Sequence, residues 1–295
     1  MAVTYNSYLT EVQLEVAKSF DAGYKGYGSQ YEKIFRMDPN QRFEEKFSVR
    51  GGMDSGFTPV TDGAAYNAQS PQIVGTQTVT PLIYKEAVAI TKMMKEKDHY
   101  GSAFEDAYRM GYYARLKMDK LASDILVNAT GTTVTWDGLS LANAAHLVGN
   151  TGATQSNRTT GALTLGFLET AIQGLRTQVD HNNATMGISP TYLVVPTRNM
   201  HQALKLTESP MTPEDANTAK NVVGPLQVVV WDQLVTTNWE AMLCTDKMFH
   251  RLEYQVAYGP ELTPDRDTAT GNDLVQLDLS CNAGAVDYLG TYFIV

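Results

Sequence analysis

The sequence predicts an α+β protein, and three observations lead there. A stripe of small and apolar residues from Phe104 to Ile125 repeats with helical spacing. Short β-branched runs, among them Tyr192-Leu193-Val194-Val195 and Leu226–Trp231, read as strands. Helical and strand segments are mixed along the chain without strict β-α alternation, which separates this class from doubly wound folds.

Residues 1–45 read as an arm with a short helix near Glu11–Phe20, ended by Asp21-Ala22-Gly23. Tyr5, Tyr8, Tyr24, Tyr27 and Tyr31 crowd it. Amphipathic rings there either pack against a neighbour or cap the chain's own core, and the sequence leaves both readings open. Phe43, Glu45, Phe47 and Val49 share one face of a strand that leads into the most unusual segment, Gly51 to Pro81. That segment holds five Gly and three Pro, and its only charged residues are Asp54 and Asp62. Long loops inside compact domains are mostly functional or disordered, and disordered ones tend to be highly charged and poor in apolar residues. This one is nearly neutral and keeps Met53, Phe57, Val60, Tyr66, Ile73, Val74 and Val79. It suits an extended excursion that lies down on another copy of the chain. An outgoing strand is expected from about Gln77 into Leu82–Ile90.

Phe104, Ala107, Gly111, Ala114, Met118, Leu121 and Ile125 alternate steps of three and four, which places them on one face of a helix. Ser102 with Glu105 reads as a capping box and Gly131 as a stop. At 1.5 Å per residue the helix is a rod of roughly 40 Å, expected to pack on a sheet. Thr132–Trp136 reads as a strand and Asp137-Gly138 as a hairpin turn. A second helix carries Leu165, Leu168, Ile172, Leu175 and Val179 in register behind Thr164 as N-cap. Tyr192–Val195 is a buried strand stopped by Pro196, and a short helix spans about Asn199–Leu206. Glu208–Val223 is a loop, Leu226–Trp231 and Glu240–Cys244 are strands, Pro260–Asn272 is a polar loop, and Leu274–Leu279 and Val286–Val295 close the chain as strands.

Charged residues make up 19% of the 295-residue chain, against roughly 25% for an ordinary globular protein. With sixteen Tyr and twelve Met this suits a surface much of which becomes interface. The net charge is −9, and residues 131–295 hold sixteen acids against eight bases. No basic stripe of the kind that grips nucleic acid is present. The two cysteines, Cys244 and Cys281, lie in apolar strand-like runs and make no disulfide framework, as in a reducing, cytosolic setting. No apolar run reaches the roughly 20 residues of a membrane-spanning helix.

Motifs for chemistry are missing. There is no GxSxG elbow, dinucleotide fingerprint, Walker lysine loop, HExxH or CxxC. Asp265-Arg266-Asp267 opens like a calcium loop, but Ala269 and Gly271 break the pattern. His146 follows Asp137 by nine residues across a turn, so the two can meet, and a structural histidine is the simpler reading than a general base. No catalytic residue, cofactor or metal is expected.

The order of arm, charge-poor loop, single long helix and then Asp137-Gly138-Leu139-Ser140-Leu141-Ala142-Asn143-Ala144-Ala145-His146 resembles the major capsid proteins of tailed bacteriophages with the Hong Kong 97-type fold, in particular their Mu-like head-subunit branch. Leu193–Pro196 and the run from Gly224 to Val230 are similar to strands of that branch. The resemblance implies an N-terminal arm (1–45), an extended loop reaching over an adjacent subunit (46–84), a peripheral domain (85–160 and 247–283) with its spine helix at about 102–129, and an axial domain (161–246 and 284–295). It implies a non-enzymatic shell subunit forming hexamers and pentamers of an icosahedral head around double-stranded DNA, assembled in the host cytoplasm, with contact to DNA weak and nonspecific. Portal and cement proteins are implied partners. Scaffolding is expected from a separate protein, or is absent, or has been trimmed from the N-terminus. Intersubunit contacts are expected at Met53, Phe57, Tyr66, Ile73 and Val74 of the loop and Tyr5, Tyr8, Tyr24 and Tyr27 of the arm. Some relatives weld their shells with a Lys–Asn isopeptide bond from the loop. No lysine lies between Gly51 and Tyr84, so no such crosslink is expected. Two other readings are an encapsulin-like nanocompartment shell and a soluble cytosolic α/β enzyme.

Overall fold

The computed structural model describes residues 5–37, 45–51, 59, 61–63, 65–66, 73–97, 101–149, 151–211, 221, 223 and 225–295, with backbone alone for 5–13, 95 and 96. In chain order the elements are α1 (Tyr5–Gly26), α2 (Tyr31–Ile34), β1 (Arg36–Met37), β2 (Glu45–Arg50), β3 (Ile73–Val79), β4 (Leu82–Ile90), α3 (Lys92–Lys97) and α4 (Gly101–Val127). Then come β5 (His146–Leu147), β6 (Thr154–Gln155), β7 (Arg158–Thr159), α5 (Leu165–Arg176), β8 (Tyr192–Pro196), α6 (Met200–Glu208), β9 (Gln227–Trp231), β10 (Ala241–Cys244), β11 (Leu252–Arg266), β12 (Asp273–Ala285) and β13 (Thr291–Ile294).

One sheet has the order β1-β11-β12-β4 and is dominated by the antiparallel β11–β12 hairpin. The expected polar loop over Pro260–Asn272 is thus mostly strand, and only 267–272 turns the chain. Prolines misled the reading, because proline removes a ladder hydrogen bond. Here, among the described residues, β1 covers β11 only at Glu253 and Tyr254 and no other strand flanks Pro260 and Pro264 on that side, and Pro260 falls within a register shift between Tyr258 and Glu261. Edge strands and bulges are where proline is tolerated.

Helices α1 and α4 cover one face of this sheet through Val16, Phe20, Ala103, Ala107 and Ala114 against Ile90, Val275 and Leu277. Helix α1 is twice as long as expected and runs through Asp21-Ala22-Gly23. Gly23 does not stop it. A Cβ on Gly23 would stand 1.9 Å from the Tyr108 carbonyl oxygen, and one on Gly111 2.1 Å from that of Phe20. The two glycines face opposite helices at one crossing, where backbone meets backbone. Helix α4 therefore packs on a second helix as well as on the sheet. Its buried line is Ala103, Ala107, Gly111, Ala114, Met118, Ala122 and Leu126, while Leu121 and Ile125 are only half-buried. A straight helix at 3.6 residues per turn drifts away from a strict seven-residue repeat, and over four turns the drift moves the buried line one position on. The helix starts at Gly101, one residue ahead of the expected cap Ser102, and Glu105 pairs with Arg109 at 2.6 Å. It ends at Val127, ahead of Gly131.

The second sheet has the order β7-β13-β10-β8-β9, with β8 and β9 parallel and α6 in the crossover between them. Alternation along its strands is complete. Leu193, Val195, Ala241 and Leu243 pack under α5 and α6 with Leu168, Leu175, Ala203 and Leu206. Val194, Met242, Cys244 and Trp231 point the other way, into the large core that also holds Leu126, Tyr254 and Tyr31. Thr164 caps α5 as expected, accepting from the Phe167 amide at 3.5 Å. The last strand is shorter than expected, Thr291–Ile294 only, because Asp287-Tyr288 and Gly290 turn the chain first.

The two sheets meet at Asp119, which is fully buried in α4. Its Oδ1 accepts the amides of Gln30 (2.8 Å) and Tyr31 (3.0 Å), so it caps α2. Its Oδ2 accepts the Tyr27 hydroxyl (3.0 Å) and the Trp231 indole N–H (2.7 Å). One carboxylate thus ties the end of α1, α2, α4 and β9 together.

Strands β2 and β3 form a separate antiparallel ribbon. Pro81 breaks the expected continuous strand, and β4 joins the four-stranded sheet instead. Phe47, Val49 and Val79 of the ribbon pack on Val286 and Trp136. Gly75 lies flat on the Trp136 ring, where a Cβ would stand 2.4 Å from Cε3. Thr132–Trp136 is not a strand. It makes one bridge, Val134 to Ser140, across the expected turn, in which Asp137 Oδ1 accepts the Thr135 hydroxyl (2.6 Å) and the Leu139 amide (3.1 Å).

Gly111→Val should push α1 off α4 and lower stability by about 2–3 kcal/mol, a fall in Tm of roughly 4–12 °C by calorimetry. Gly166→Ala, where nothing lies within 4 Å, should leave Tm unchanged or raise it. Asp119→Asn leaves one acceptor oxygen for four donors and should cost about 3 kcal/mol or more in urea denaturation.

His250 supplies a pH dependence. It is fully buried, and its Nδ1 accepts the Leu252 amide at 3.3 Å. Burial lowers its pKa to about 4, with Lys247 and Arg36 acting in the same sense and Asp246 opposing. The fold therefore holds the ring neutral. Above the unfolded value near 6.5 its protonation adds nothing to the pH dependence; from there down to about 4 the unfolded chain gains a proton that the fold refuses. Stability should fall through that window by up to roughly 3 kcal/mol from this group. Denaturation of wild type and His250→Gln at both ends of the window should show the smaller pH dependence in the variant.

Candidate intersubunit surfaces

The residues expected to touch a neighbour are distributed unevenly. Met53 and Phe57 lie outside the described residues, as do the side chains of Tyr5 and Tyr8, whose backbone is in α1. Tyr66, on the excursion between the ribbon strands, is fully exposed. Ile73, at the far end of β3, is 58% exposed, and Val74 is half-buried. Exposed and half-buried residues interleave along β3, and the described residues of the excursion, 59, 61–63, 65 and 66, are all exposed.

Tyr24 and Tyr27 behave otherwise. The Tyr24 hydroxyl accepts from Arg115 Nη1 at 2.9 Å and donates to Met118 Sδ at 3.4 Å. The Tyr27 hydroxyl donates to Asp119, and its ring meets Tyr112 edge-on at 5.2 Å. Burial, then the Asp119 charge, pushes the Tyr27 phenol up to about 12. Both rings are engaged within their own chain. The longer α1 lays them along α4, and each stays half-buried, with part of its ring still open to solvent.

Other exposed apolar side chains went unnoticed in the sequence: Val235 (83% exposed), Met248 (79%) and Phe249 in turns, and Met93 in α3. They stand in short stretches with no periodicity, so nothing in the local pattern marks them as outward.

The Asp137–His146 pair expected from the sequence does meet. His146 Nδ1 lies 2.8 Å from Asp137 Oδ2, and both side chains are completely enclosed. The second nitrogen, Nε2, faces the Leu141 carbonyl at 3.2 Å. The Asp137 carboxyl accepts four donors, counting the Leu147 amide. Burial works to raise its pKa, but the His146 and Thr135 hydrogen bonds outweigh it and hold the carboxyl down at about 2. The pair anchors a turn and reaches no surface from which a substrate could approach. A second pair, His181 Nε2 to Asp287 Oδ2 at 2.8 Å, is similarly buried. Among the described residues no group of three or more His, Cys, Asp or Glu could hold a metal ion. A groove of about 610 Å³ between α5 and the start of β9 is lined mainly by Ile172, Pro190, Val223, Pro225 and Leu226, and its titratable liners are Glu169 and Arg176, two turns apart on one helix. Cys244 and Cys281 are buried free thiols. No described helix is long and apolar enough to cross a membrane.

Three solved structures share the arrangement. The capsid of Ralstonia phage GP4 superposes with a TM-score of 0.59 at 12% identity, covering 90% of this chain and 90% of that one. The procapsid of bacteriophage JBD30 gives 0.54 at 13%, covering 99% of this chain and 75% of that one. A virus-like particle from Pyrococcus furiosus gives 0.56 at 10%, covering 95% and 98%. At such identities the likeness speaks for the fold alone, which is the Hong Kong 97-like fold. No curated protein matches the sequence. A family model described as phage capsid protein matches residues 75–294. That match disfavours the nanocompartment reading, which fold likeness alone does not separate from a phage shell. The chain belongs to the phage capsid protein family.

Proposed function

We propose that the chain is the major head subunit of a tailed phage, assembling into hexamers and pentamers of an icosahedral shell around double-stranded DNA. In this reading residues 1–45 are the N-terminal arm and 46–84 the extended loop. Residues 85–160 and 247–283 are the peripheral domain with α4 as its spine, and 161–246 with 284–295 the axial domain. The Asp137–His146 segment and the Leu193–Pro196 strand support the Mu-like branch. Portal, separate scaffolding and cement proteins are the further partners, and assembly takes place in the host cytoplasm. The acidic surplus keeps contact with packaged DNA weak, and a loop without lysine from Gly51 to Tyr84 makes no isopeptide weld.

The observation that carries this reading, beside the family match, is the ribbon. It is seated on the body at one end, while Tyr66 on its excursion is bare of cover from its own chain. A nearly neutral excursion can lie on a neighbour without desolvating unpaired charges. Apolar burial contributes roughly 25 cal/mol per Å², against an association cost of several kcal/mol. Once one contact forms, further contacts by the same subunit become effectively intramolecular, so a shell needs no single tight site.

Size-exclusion chromatography followed by negative-stain imaging of the purified chain tests the reading directly. Closed shells support it, and a monodisperse monomer at high concentration counts against it. Deleting residues 54–70 and rejoining the chain with a short turn spares β3 and its seat. The product should be soluble, with unchanged circular dichroism and no shells. Normal particles from this variant would remove the ribbon from the assembly mechanism.

A further inference from the structure

The two faces of the β2–β3 ribbon differ in kind. Residues opposite one another in a ladder share a face, and neighbours along a strand alternate between faces. One face carries Glu45, Phe47 and Val49 with Val79, Gln77 and Gly75 opposite them. It is turned to the body: Val79 meets the first sheet at Gly284, where a Cβ would stand 2.5 Å from Val79 Cγ2, and Gly75 lies on Trp136. The outward face carries Lys46, Ser48 and Arg50 with Thr78, Thr76 and Ile73 opposite them, and all but Ser48 are exposed. Among these six residues are two cations and no acid, on a chain whose net charge is −9.

The first sheet presents a surface of the opposite sign. Helices α1 and α4 cover its side at Val275 and Leu277. On the other side β12 aligns Asp278 with Glu261 of β11 and Lys85 of β4, Gln276 with Thr263 and Ala87, and Leu274 with Asp265 and Ala89. Three carboxylates stand there against one ammonium, Lys85, whose Nζ lies 3.3 Å from Asp278. Glu261, Thr263 and Asp265 are exposed, as are Lys85, Ala87 and Ala89, so no described element covers this side. The two alanines keep the β4 edge low, and a second flat surface can approach it.

These two faces cannot meet within one chain. Alternate residues of β12 from Leu274 to Gly284 all lie on the acidic side, and the ribbon already rests on that side at Gly284. Its cationic face therefore points away from the sheet that carries the acids. The extents agree. At about 3.4 Å per residue, the six residues of β2 span roughly 20 Å and residues 274–278 of β12 roughly 17 Å. We propose that the Lys46–Arg50 face of the ribbon docks on the Glu261, Asp265 and Asp278 face of a second copy of the chain. This pairing rests on the reading that copies of the chain associate, as shell subunits do, and adds to it the two surfaces that recognise each other. Opposite charge steers the approach and selects the partner surface more than it adds affinity. Charges at a wet rim also leave the contact sensitive to salt.

Zero-length carbodiimide crosslinking of the full-length wild-type chain, mixed from unlabelled and 15N-labelled protein, tests the pairing by mass spectrometry. Peptides joining Lys46 to Glu261, Asp265 or Asp278 should appear with one half labelled and the other not. Shells without that mixed-label crosslink overturn the pairing and leave the shell reading standing. The crosslink in concentrated protein that forms no shells supports the pairing and counts against the shell. Charge reversal gives a second measurement. Lys46→Glu with Arg50→Glu, and separately Glu261→Lys with Asp265→Lys, set like charges against each other. Each pair should raise the concentration at which copies associate, by sedimentation velocity, about tenfold or more. All four positions are exposed, so circular dichroism should not change. Combining the four substitutions should bring association back towards wild type. Double variants that associate like wild type, or a combination no better than its halves, overturn the proposal. Should a variant not fold, the wild-type crosslink decides alone.

Discussion

Everything else in this fold is arranged around one buried carboxylate. Asp119 accepts four hydrogen bonds: one from Tyr27 just past α1, two from the amides that open α2, and one from Trp231 of β9. A carboxylate taken out of water is strongly unfavourable unless its lone pairs are met, so its presence demands that α2, the end of α1 and the indole of β9 arrive together. The core around it is assembled by the same event. Tyr31 stacks on Tyr254 at 4.6 Å, and Phe35 meets Trp231 and Tyr254 edge-on, so the segment that Asp119 caps also fills the space between the two sheets. The apolar burial contributes the free energy and the carboxylate specifies the geometry in which it is collected.

That constraint ties the body together and leaves the ribbon as a separate two-stranded sheet. The second sheet is covered on both faces, and α4 is pinned by a backbone-to-backbone crossing with α1 as well as by Asp119. The ribbon touches the body through a small cluster of Phe47, Val49, Val79, Val286 and Trp136.

Much of this was legible in the residues. Periodicity exposed α4 and α5, and apolar runs exposed β8, β9 and β10, because each buries at least one face. The failures have physical causes. Pro260 and Pro264 signalled loop, but a flank with no pairing strand among the described residues and a register shift accommodate proline, and neither is visible without knowing the neighbouring strand. Gly23 signalled a helix end, but its missing side chain serves a crossing with Gly111, 88 residues away in numbering and invisible locally. Asp119 carried no signal at all: a lone acid between Met118 and Lys120 looks like part of a solvated face until its donors are known. At the candidate surface, the charge-poor excursion was readable from composition, whereas Tyr24 and Tyr27 were not assignable, since an aromatic ring suits an interior and an interface equally.

The ribbon itself was read too simply from the sequence, as a tongue whose every apolar residue awaits a neighbour. Its residues divide by position. Phe47, Val49 and Val79 are between 2% and 9% exposed and belong to the chain's own core, whereas Ile73 is 58% exposed and Tyr66 fully so. Such a division has a mechanical consequence. Apolar burial at the base sets the direction in which the ribbon leaves the body before any partner is present, which lowers the ordering cost of a later contact. Tyr66, by contrast, receives no cover from its own chain. Composition alone marked the stretch as unusual, while only the packing separates the residues of its base, which belong to the core of the chain, from the bare Tyr66.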